Sequence, residues 1–161
     1  MIIVLMGVTG TGKTTVGRVL AEELGWTFRD GDDFHPAANI EKMRRGEPLN
    51  DDDRAPWLAA LGRLIDDTVA RSENLVLACS ALEHRYQDYL RHDLEAVHYV
   101  ELWGTPELIE KRLAARKGHF MNPSLLPSQF AILEPPADAI RVEVSRTPNE
   151  ITAEIRGKLG V

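Results

Sequence analysis

Ile2-Ile3-Val4-Leu5-Met6-Gly7-Val8-Thr9-Gly10-Thr11-Gly12-Lys13-Thr14-Thr15 is the stretch whose reading decides the architecture. Ile2 to Met6 is a short, β-branched apolar run, the pattern of a strand buried on both faces of a parallel sheet. Gly7 to Thr14 fits G-x-x-x-x-G-K-[ST], and the physics asks for these residue types. Glycines let the backbone curl until successive N–H groups point inward, making a concave cradle for an anion. Val16, Val19, Leu20 and Leu24 then fall at helical spacing, and Gly25 closes that helix, whose positive end faces the same cradle. Gly7, Val8, Thr9, Gly10, Thr11, Gly12, Lys13, Thr14 and Thr15 are therefore expected to hold the phosphates of a nucleoside triphosphate. Lys13 would meet the β- and γ-phosphates and Thr14 would ligate Mg²⁺. The alternative is a chance match in a Gly/Thr-rich turn; the strand before it and the amphipathic helix after it argue against that.

Outward from this unit the chain alternates strand and helix. Strands are expected at Trp26 to Arg29, Leu75 to Cys79, Val97 to Leu102 and Ile140 to Val144. Helices are expected at Pro36 to Arg45, on the apolar face Trp57, Leu58, Leu61, Leu64, Ile65 and Val69, and from about Leu82 to Arg91. Another runs from Thr105-Pro106 toward Arg116, and a short one covers Ser128 to Leu133. Thr147-Pro148-Asn149-Glu150 reads as a capping box opening the last helix, with Ile151, Ile155 and Leu159 inward. Gly118 to Pro127 breaks the pattern and is expected to be an irregular connection. The alternation predicts a parallel sheet with helices on both faces and a ligand cleft beyond the carboxyl ends of its strands. The chain is 161 residues long, which suits one domain. A net charge of -6 argues against a general nucleic-acid binder. One cysteine, Cys79, allows no internal disulfide. No apolar run approaches a membrane span, and Met1 to Met6 is too short for a signal peptide, so a cytoplasmic protein is expected.

Asp30-Gly31-Asp32-Asp33-Phe34-His35 falls where the second strand should end, facing the phosphate loop. Phosphoryl transfer to a hydroxyl needs a group to receive or orient its proton, and Mg²⁺ needs oxygen ligands. If the segment is extended, Asp30 and Asp32 share a side, with Asp32 toward the hydroxyl, Asp30 toward Mg²⁺ and Asp33 away. A solvated acidic turn capping the next helix is the competing reading, and His35 is either a substrate contact or a helix-start residue. Arg112 and Arg116, four apart, suit a helix presenting cations to the nucleotide; the alternative is a surface pair bonded to Glu107 or Glu110. Arg54 suits a substrate anion, or a salt bridge to Asp51 or Asp52. The third strand ends Ala78-Cys79-Ser80-Ala81 without an aspartate, which moves the metal duty toward Asp30.

These residues resemble the gluconokinase family, the short phosphate-loop type related to shikimate and adenylate kinases. The resemblance is carried by Asp30-Gly31-Asp32-Asp33-Phe34-His35-Pro36, Asn39-Ile40-Glu41-Lys42-Met43, Gly46-Glu47-Pro48-Leu49-Asn50-Asp51-Asp52-Asp53-Arg54 with Pro56-Trp57-Leu58, Cys79-Ser80-Ala81-Leu82, and Arg116-Lys117-Gly118-His119-Phe120-Met121. It implies an α/β three-layer phosphate-loop kinase fold, a five-stranded parallel sheet in the order 2-3-1-4-5, in a single domain over residues 1–161. It implies a lid near 117–128 and a substrate-binding helical segment near 36–58. The implied reaction joins ATP, Mg²⁺ and D-gluconate to give 6-phosphogluconate, commonly in a homodimer. Lys13, Asp32 and Arg116 would then be catalytic. Asp32, His35, Lys42, Arg54, Ser80 and His119 would contact the acceptor, with Arg54 holding the acid group. Thr14 and Asp30 would serve the metal. Arg112 and Arg116 would meet the phosphates, and the Ser145 to Pro148 segment, including Thr147 and Pro148, would hold the adenine. Two positions depart from the family pattern: Glu83 stands where a lysine follows Cys-Ser-Ala-Leu, and Tyr86-Gln87 replaces Tyr-Arg. Two positive charges are lost at the acceptor end, Arg85 lies one helix position away, and the expected result is a weaker hold on gluconate or a different acid. A kinase for another small acceptor, such as a shikimate-like acid, and a nucleotide-binding regulatory module or ATPase remain the alternatives.

Overall fold

The computed structural model describes residues 1–92, 95–118 and 122–161. Five parallel strands lie in the order β2-β3-β1-β4-β5: β1 Ile2–Met6, β2 Thr27–Asp30, β3 Leu75–Ala78, β4 Val97–Trp103 and β5 Ile140–Glu143. The helices are α1 Lys13–Leu24, α2 Ala37–Arg44, α3 Asp51–Ala70, α4 His84–Leu90, α5 Pro106–Ala115, α6 Leu126–Ile132 and α7 Pro148–Leu159. Both the sheet order and the kinase fold expected from the sequence are present.

The three layers follow from the two-residue period of the central strands. Ile3 and Leu5 of β1, with Val76, Val100 and Leu102, face one side and meet Val16 and Leu20 of α1, Ile109 of α5, and Ile151 and Ile155 of α7. Ile2, Val4 and Met6, with Leu75, Leu77 and Tyr99, face the other and meet Trp57, Leu61 and Ile65 of α3 and Leu90 of α4. Burying β1 on both faces demands the unbroken apolar run that opens the chain. Between β4 and β5, Glu101 is almost wholly buried and is held by the Arg141 guanidinium at 2.5 Å.

The helix ends follow their local chemistry. Asn50 caps α3 in a reciprocal box with Asp53, and Thr147 does the same with Glu150 at α7. Pro56 lies inside α3 and cannot bond the carbonyl of Asp52, which is exposed and therefore open to water. Some expectations shift. Val69 is on the outer side of α3, 37% exposed. The helix expected from Leu82 is shorter, because Glu83 is extended and only His84 begins it. The irregular segment is narrower than expected: Pro123–Leu125 forms a 3-10 turn running into α6, since proline suits the first position of a helical turn.

Candidate active site

The phosphate loop joins β1 to α1 and lies under the carboxyl ends of the strands. Gly7 has φ 141, and a Cβ there would stand 2.4 Å from the carbonyl oxygen of Leu102, so both backbone angle and space require glycine. Val8 and Thr11 turn inward and are buried, Thr11 Oγ1 donating to the Val8 carbonyl. Thr9, Gly10, Gly12, Lys13, Thr14 and Thr15 line a cleft of about 180 Å³. Gly12 precedes α1 in a left-handed conformation without any side-chain cap, leaving the first helical N–H groups directed at the loop. The Lys13 ammonium donates to the carbonyls of Gly7 and Val8 at 2.8 and 2.9 Å. Desolvation lowers the Lys13 pKa, while Asp32 and then Asp30 oppose that shift. The charge of this lysine thus leans on the two carboxylates opposite.

Those carboxylates reach the cleft differently from the extended alternation expected. β2 ends at Asp30, and Gly31–Phe34 coils into a 3-10 turn that Asp30 caps, its Oδ1 accepting from the Asp32 N–H at 3.0 Å. Asp30 Oδ2 accepts from Thr14 Oγ1 at 2.6 Å. Asp30 and Asp32 both line the cleft, and Asp33 is exposed. Gly31 allows the turn to lie against β3, since a Cβ there would stand 2.8 Å from the Ala78 carbonyl oxygen. Trp57 of α3 ties the turn from behind, Nε1 donating to the Gly31 carbonyl at 2.8 Å. Burial, then the neighbouring Asp30, push the Asp32 carboxyl up from 3.8 to about 6, against the pull of Lys13. Cys79 is buried and its thiol is pushed up to about 12, chiefly by desolvation, so it stays protonated and inert as a nucleophile.

Arg112 and Arg116 also line the cleft. They do not share a helix face as expected: Arg116 is the extended residue that ends α5. Arg112 donates to the carbonyl of Val144, tying α5 to the end of β5. Among the described residues neither arginine forms a salt bridge with Glu107 or Glu110. Thr147 and Pro148 lie three and four residues beyond Val144 but do not line the cleft. Thr147 is occupied in capping α7.

A second cavity of about 250 Å³ adjoins the first, and Asp32 and Ser80 line both. His35 and Arg54 line it, with an apolar wall that includes Met43, Leu49 and Leu125. The His35 ring stacks on Trp57 at 4.6 Å and 8°. The Asn39 amide donates toward His35 Nδ1 at 3.2 Å, leaving the neutral ring its proton on Nε2. Desolvation, then Arg54, lower the His35 pKa to about 4, so this ring is uncharged at neutral pH. Arg54 does not pair directly with Asp51 or Asp52 as one reading had it. It donates to the Tyr86 hydroxyl at 3.1 Å, and that hydroxyl donates to Asp51 at 2.7 Å. The guanidinium that lines the cavity is thus braced by a neutral phenol.

Lys42 of α2 does not line this cavity: Asp53, in the first turn of α3, takes its ammonium at 2.8 Å. His119 lies outside the described residues. Of the two departures, Glu83 lines the cavity and pairs with Arg85 at 2.9 Å, while Arg85 also reaches Asp51 at 2.6 Å. Gln87 does not face the acceptor side as expected. It is buried, its amide donating to the carbonyls of Ala81 and Glu134, each at 2.9 Å. Sequence reasoning missed Gln129 of α6, which lines the second cavity and accepts from the Thr9 N–H at 2.6 Å. The available signal was faint: a polar residue between Leu126 and Phe130 on a short apolar helix.

A phosphate loop with its lysine, two carboxylates across from it, and an adjoining cavity with one braced arginine define a phosphate-loop kinase acting on a small molecule. The family model described as an AAA domain matches residues 2–130. The gluconokinase of Gluconobacter oxydans (strain 621H) is 46% identical over 156 residues, covering 95% of this chain and 88% of that protein. An unliganded sugar kinase from Janibacter sp. HTCC2649 superposes with a TM-score of 0.92 at 38% identity, covering 99% of this chain and 94% of that one. A gluconokinase from Sinorhizobium meliloti 1021 does so at 0.85 and 41% identity, covering 98% and 90%. The chain belongs to the gluconokinase family.

Proposed function

We propose that the protein transfers the γ-phosphoryl group of ATP to a hydroxyl of D-gluconate, giving 6-phospho-D-gluconate and ADP. The observation that carries this reading is the meeting of two cavities at Asp32 and Ser80, one built on a phosphate loop and the other on Arg54 and His35. The likeness along nearly the whole chain to a gluconokinase supports the choice of acceptor.

In this reading the loop amides and Lys13 hold the β- and γ-phosphates, with Arg112 and Arg116 closing from α5. Arg54 binds the gluconate carboxylate, a charge-assisted contact in a partly apolar cavity. His35 Nε2–H, with Ser80, orients the polyol. Asp32 accepts the proton of the attacking hydroxyl, and a carboxyl near 6 suits that task at neutral pH. Thr14 and Asp30 offer hard oxygen donors at the base of the phosphate cleft, and among the described residues no cluster of three or more His, Cys, Asp or Glu offers a fuller cage. That sparse donor set fits Mg²⁺, which takes few protein ligands beside phosphate oxygens and water. When bound, Mg²⁺ supplies charge neutralisation on the β- and γ-oxygens. The segment 117–128 serves as the lid and 36–58 as the acceptor-binding segment. Among the described residues no helix is long and apolar enough to cross a membrane, and by family resemblance the enzyme works as a homodimer in the cytoplasm.

One observation keeps a second reading, a kinase for another small acceptor: the Glu83 carboxylate lines the cavity where the family resemblance implies a lysine. The deciding test is an ADP-release assay with Mg·ATP against D-gluconate, other sugar acids and shikimate. Selective turnover of D-gluconate is expected. Selective turnover of another acid keeps the kinase and moves the specificity. ATP turnover indifferent to every acceptor points to a regulatory module or ATPase.

A further inference from the structure

Asn39, in the first turn of α2, is only 4% exposed and does not line the acceptor cavity. Its Nδ2 donates to the Asp53 carbonyl at 2.7 Å and stands 3.2 Å from His35 Nδ1. A carbonyl oxygen only accepts, so the atom facing it is the amide nitrogen, and the second hydrogen of the same NH₂ is left for His35. Nδ1 is thereby an acceptor. Among the described residues Nε2 has no partner, and no buried side-chain nitrogen or oxygen lacks one, so Nε2 is open, on a ring that lines the acceptor cavity. Stacking on Trp57 at 8° fixes the plane of that ring but not its edge. The last torsion of histidine is roughly two-fold, and a half-turn about it keeps the stack while exchanging Nδ1 with Cδ2 and Nε2 with Cε1. The choice between the two edges falls to Asn39.

Resting on the kinase reading above, we propose that Asn39 is a positioning residue for the acceptor: it selects the edge and the tautomer of His35, so that a neutral Nε2–H is held ready for a hydroxyl or carbonyl oxygen of the substrate. A neutral amide suits this task. A carboxylate in its place would draw the ring's proton to Nδ1 and leave Nε2 bare. A donor already aimed gives up no rotational freedom when substrate arrives, so its hydrogen bond counts more fully toward affinity. The same NH₂ group also holds the carbonyl of Asp53, the residue before Arg54. One buried amide thus keeps the ring in register with the helix that carries the cavity's arginine.

The tautomer is read directly by NMR on the intact protein labelled with ¹⁵N at histidine, the His35 signals being those lost in His35→Gln. At pH 8, wild type shows Nδ1 without a proton and Nε2 with one. Asn39→Asp replaces the donor by an acceptor, so Nδ1 gains the proton. A proton on Nδ1 in wild type, or a folded Asn39→Asp with the wild-type pattern, overturns the proposal; if the variant does not fold, the wild-type spectrum decides. Kinetics then separate positioning from scaffolding. Asn39→Leu raises the KM for D-gluconate about tenfold, the size of one aimed hydrogen bond, and leaves kcat and the KM for ATP within about twofold. In a His35→Gln background, where no imidazole remains to be oriented, the same replacement leaves the KM for D-gluconate within about twofold. An equal rise in both backgrounds, or a matching rise in the KM for ATP, makes Asn39 a scaffold and overturns the proposal. Should another acid be the one turned over, the choice of D-gluconate fails, and the same comparison on that acid still decides the role of Asn39.

Discussion

Replacing Asp32 with asparagine should raise the stability of the free protein while destroying its activity. The carboxyl stands near 3.8 when solvated and near 6 in the fold, because burial and Asp30 disfavour its charge more than Lys13 supports it. An acid whose folded pKa is raised costs stability above that pKa. The cost is absent below 3.8, grows between 3.8 and about 6, and is complete above. At 1.36 kcal/mol per tenfold change, the full cost near pH 8 is about 3 kcal/mol. Asparagine removes it but must bury a neutral amide in its place, so the net gain is smaller, about 1–2 kcal/mol. For a chain of this size that raises Tm by about 3–6 °C. Thermal melts of Asp32→Asn and wild type at pH 8 and pH 4.5 check it: the gain is present at pH 8 and largely gone at pH 4.5. In the same variant kcat falls about 10²- to 10⁴-fold, the range for losing a general base, with little change in ATP affinity. Wild-type kcat/KM falls on acidification below about pH 6, and that limb disappears in the variant. A variant that melts lower at pH 8, or by the same margin at both pH values, refutes the burial-cost reasoning. An unchanged kcat removes Asp32 from the acceptor role.

Lys13→Ala removes a cation whose hold strengthens as charge builds on the transferred phosphoryl; turnover in the ADP-release assay drops about 10³-fold, and near-normal turnover would discard the loop assignment. Arg54→Ala raises the KM for D-gluconate about 10- to 100-fold and leaves the KM for ATP alone, as expected for one charge-assisted contact to a carboxylate; equal effects on both substrates would place Arg54 elsewhere. Arg141→Met strands the buried Glu101 carboxylate and lowers the urea-unfolding free energy at pH 7 by about 3 kcal/mol, with kcat of the folded protein unchanged; a loss below about 0.5 kcal/mol would show that this pair is solvated.

The parts that could be read from the sequence are those whose physics is local. Strand β1, its glycine loop and α1 are specified by neighbours within a dozen residues: an apolar run for burial, glycine at Gly7 for a backbone no other residue adopts easily, and a lysine at the turn. The box at Thr147 and Glu150 closes over three residues and was equally plain. Asp30 and Asp32 were identified by chemical type, yet their geometry was misjudged. An extended segment and a 3-10 turn capped by its own aspartate have the same composition, and the choice is made by Trp57, more than twenty residues on, bonding the Gly31 carbonyl. Lys42 and Gln129 show the same limit from opposite sides. Lys42, assigned to the acceptor by resemblance, is bonded to Asp53; Gln129, which the sequence did not single out, bonds the phosphate loop. Long polar side chains reach whichever partner tertiary packing brings near, and helical periodicity does not report which that is.

The two departures at 83 and 87 show how unequal two apparently similar charge changes become once folded. Gln87 is buried in α4, and its amide spans the carbonyls of Ala81 and Glu134, fastening the chain that follows α6 to the end of β3. A missing cation there changes how the wall is fastened and does not change the potential inside the cavity. Glu83 does line the cavity, but its carboxylate is engaged by Arg85, which also holds Asp51. Asp51 in turn holds the Tyr86 hydroxyl that braces Arg54. Glu83 is thus the outer end of a chain of contacts whose inner end is the guanidinium assigned to the acceptor's acid group. Glu83→Lys would do two opposing things: add a positive charge to the cavity wall, and repel Arg85, loosening the bracing of Arg54. Comparing Glu83→Lys with Glu83→Gln separates them. If the wall's potential governs acceptor affinity, the KM for D-gluconate falls in both, further with lysine. If bracing governs, KM rises in both, because each variant weakens the hold on Arg85.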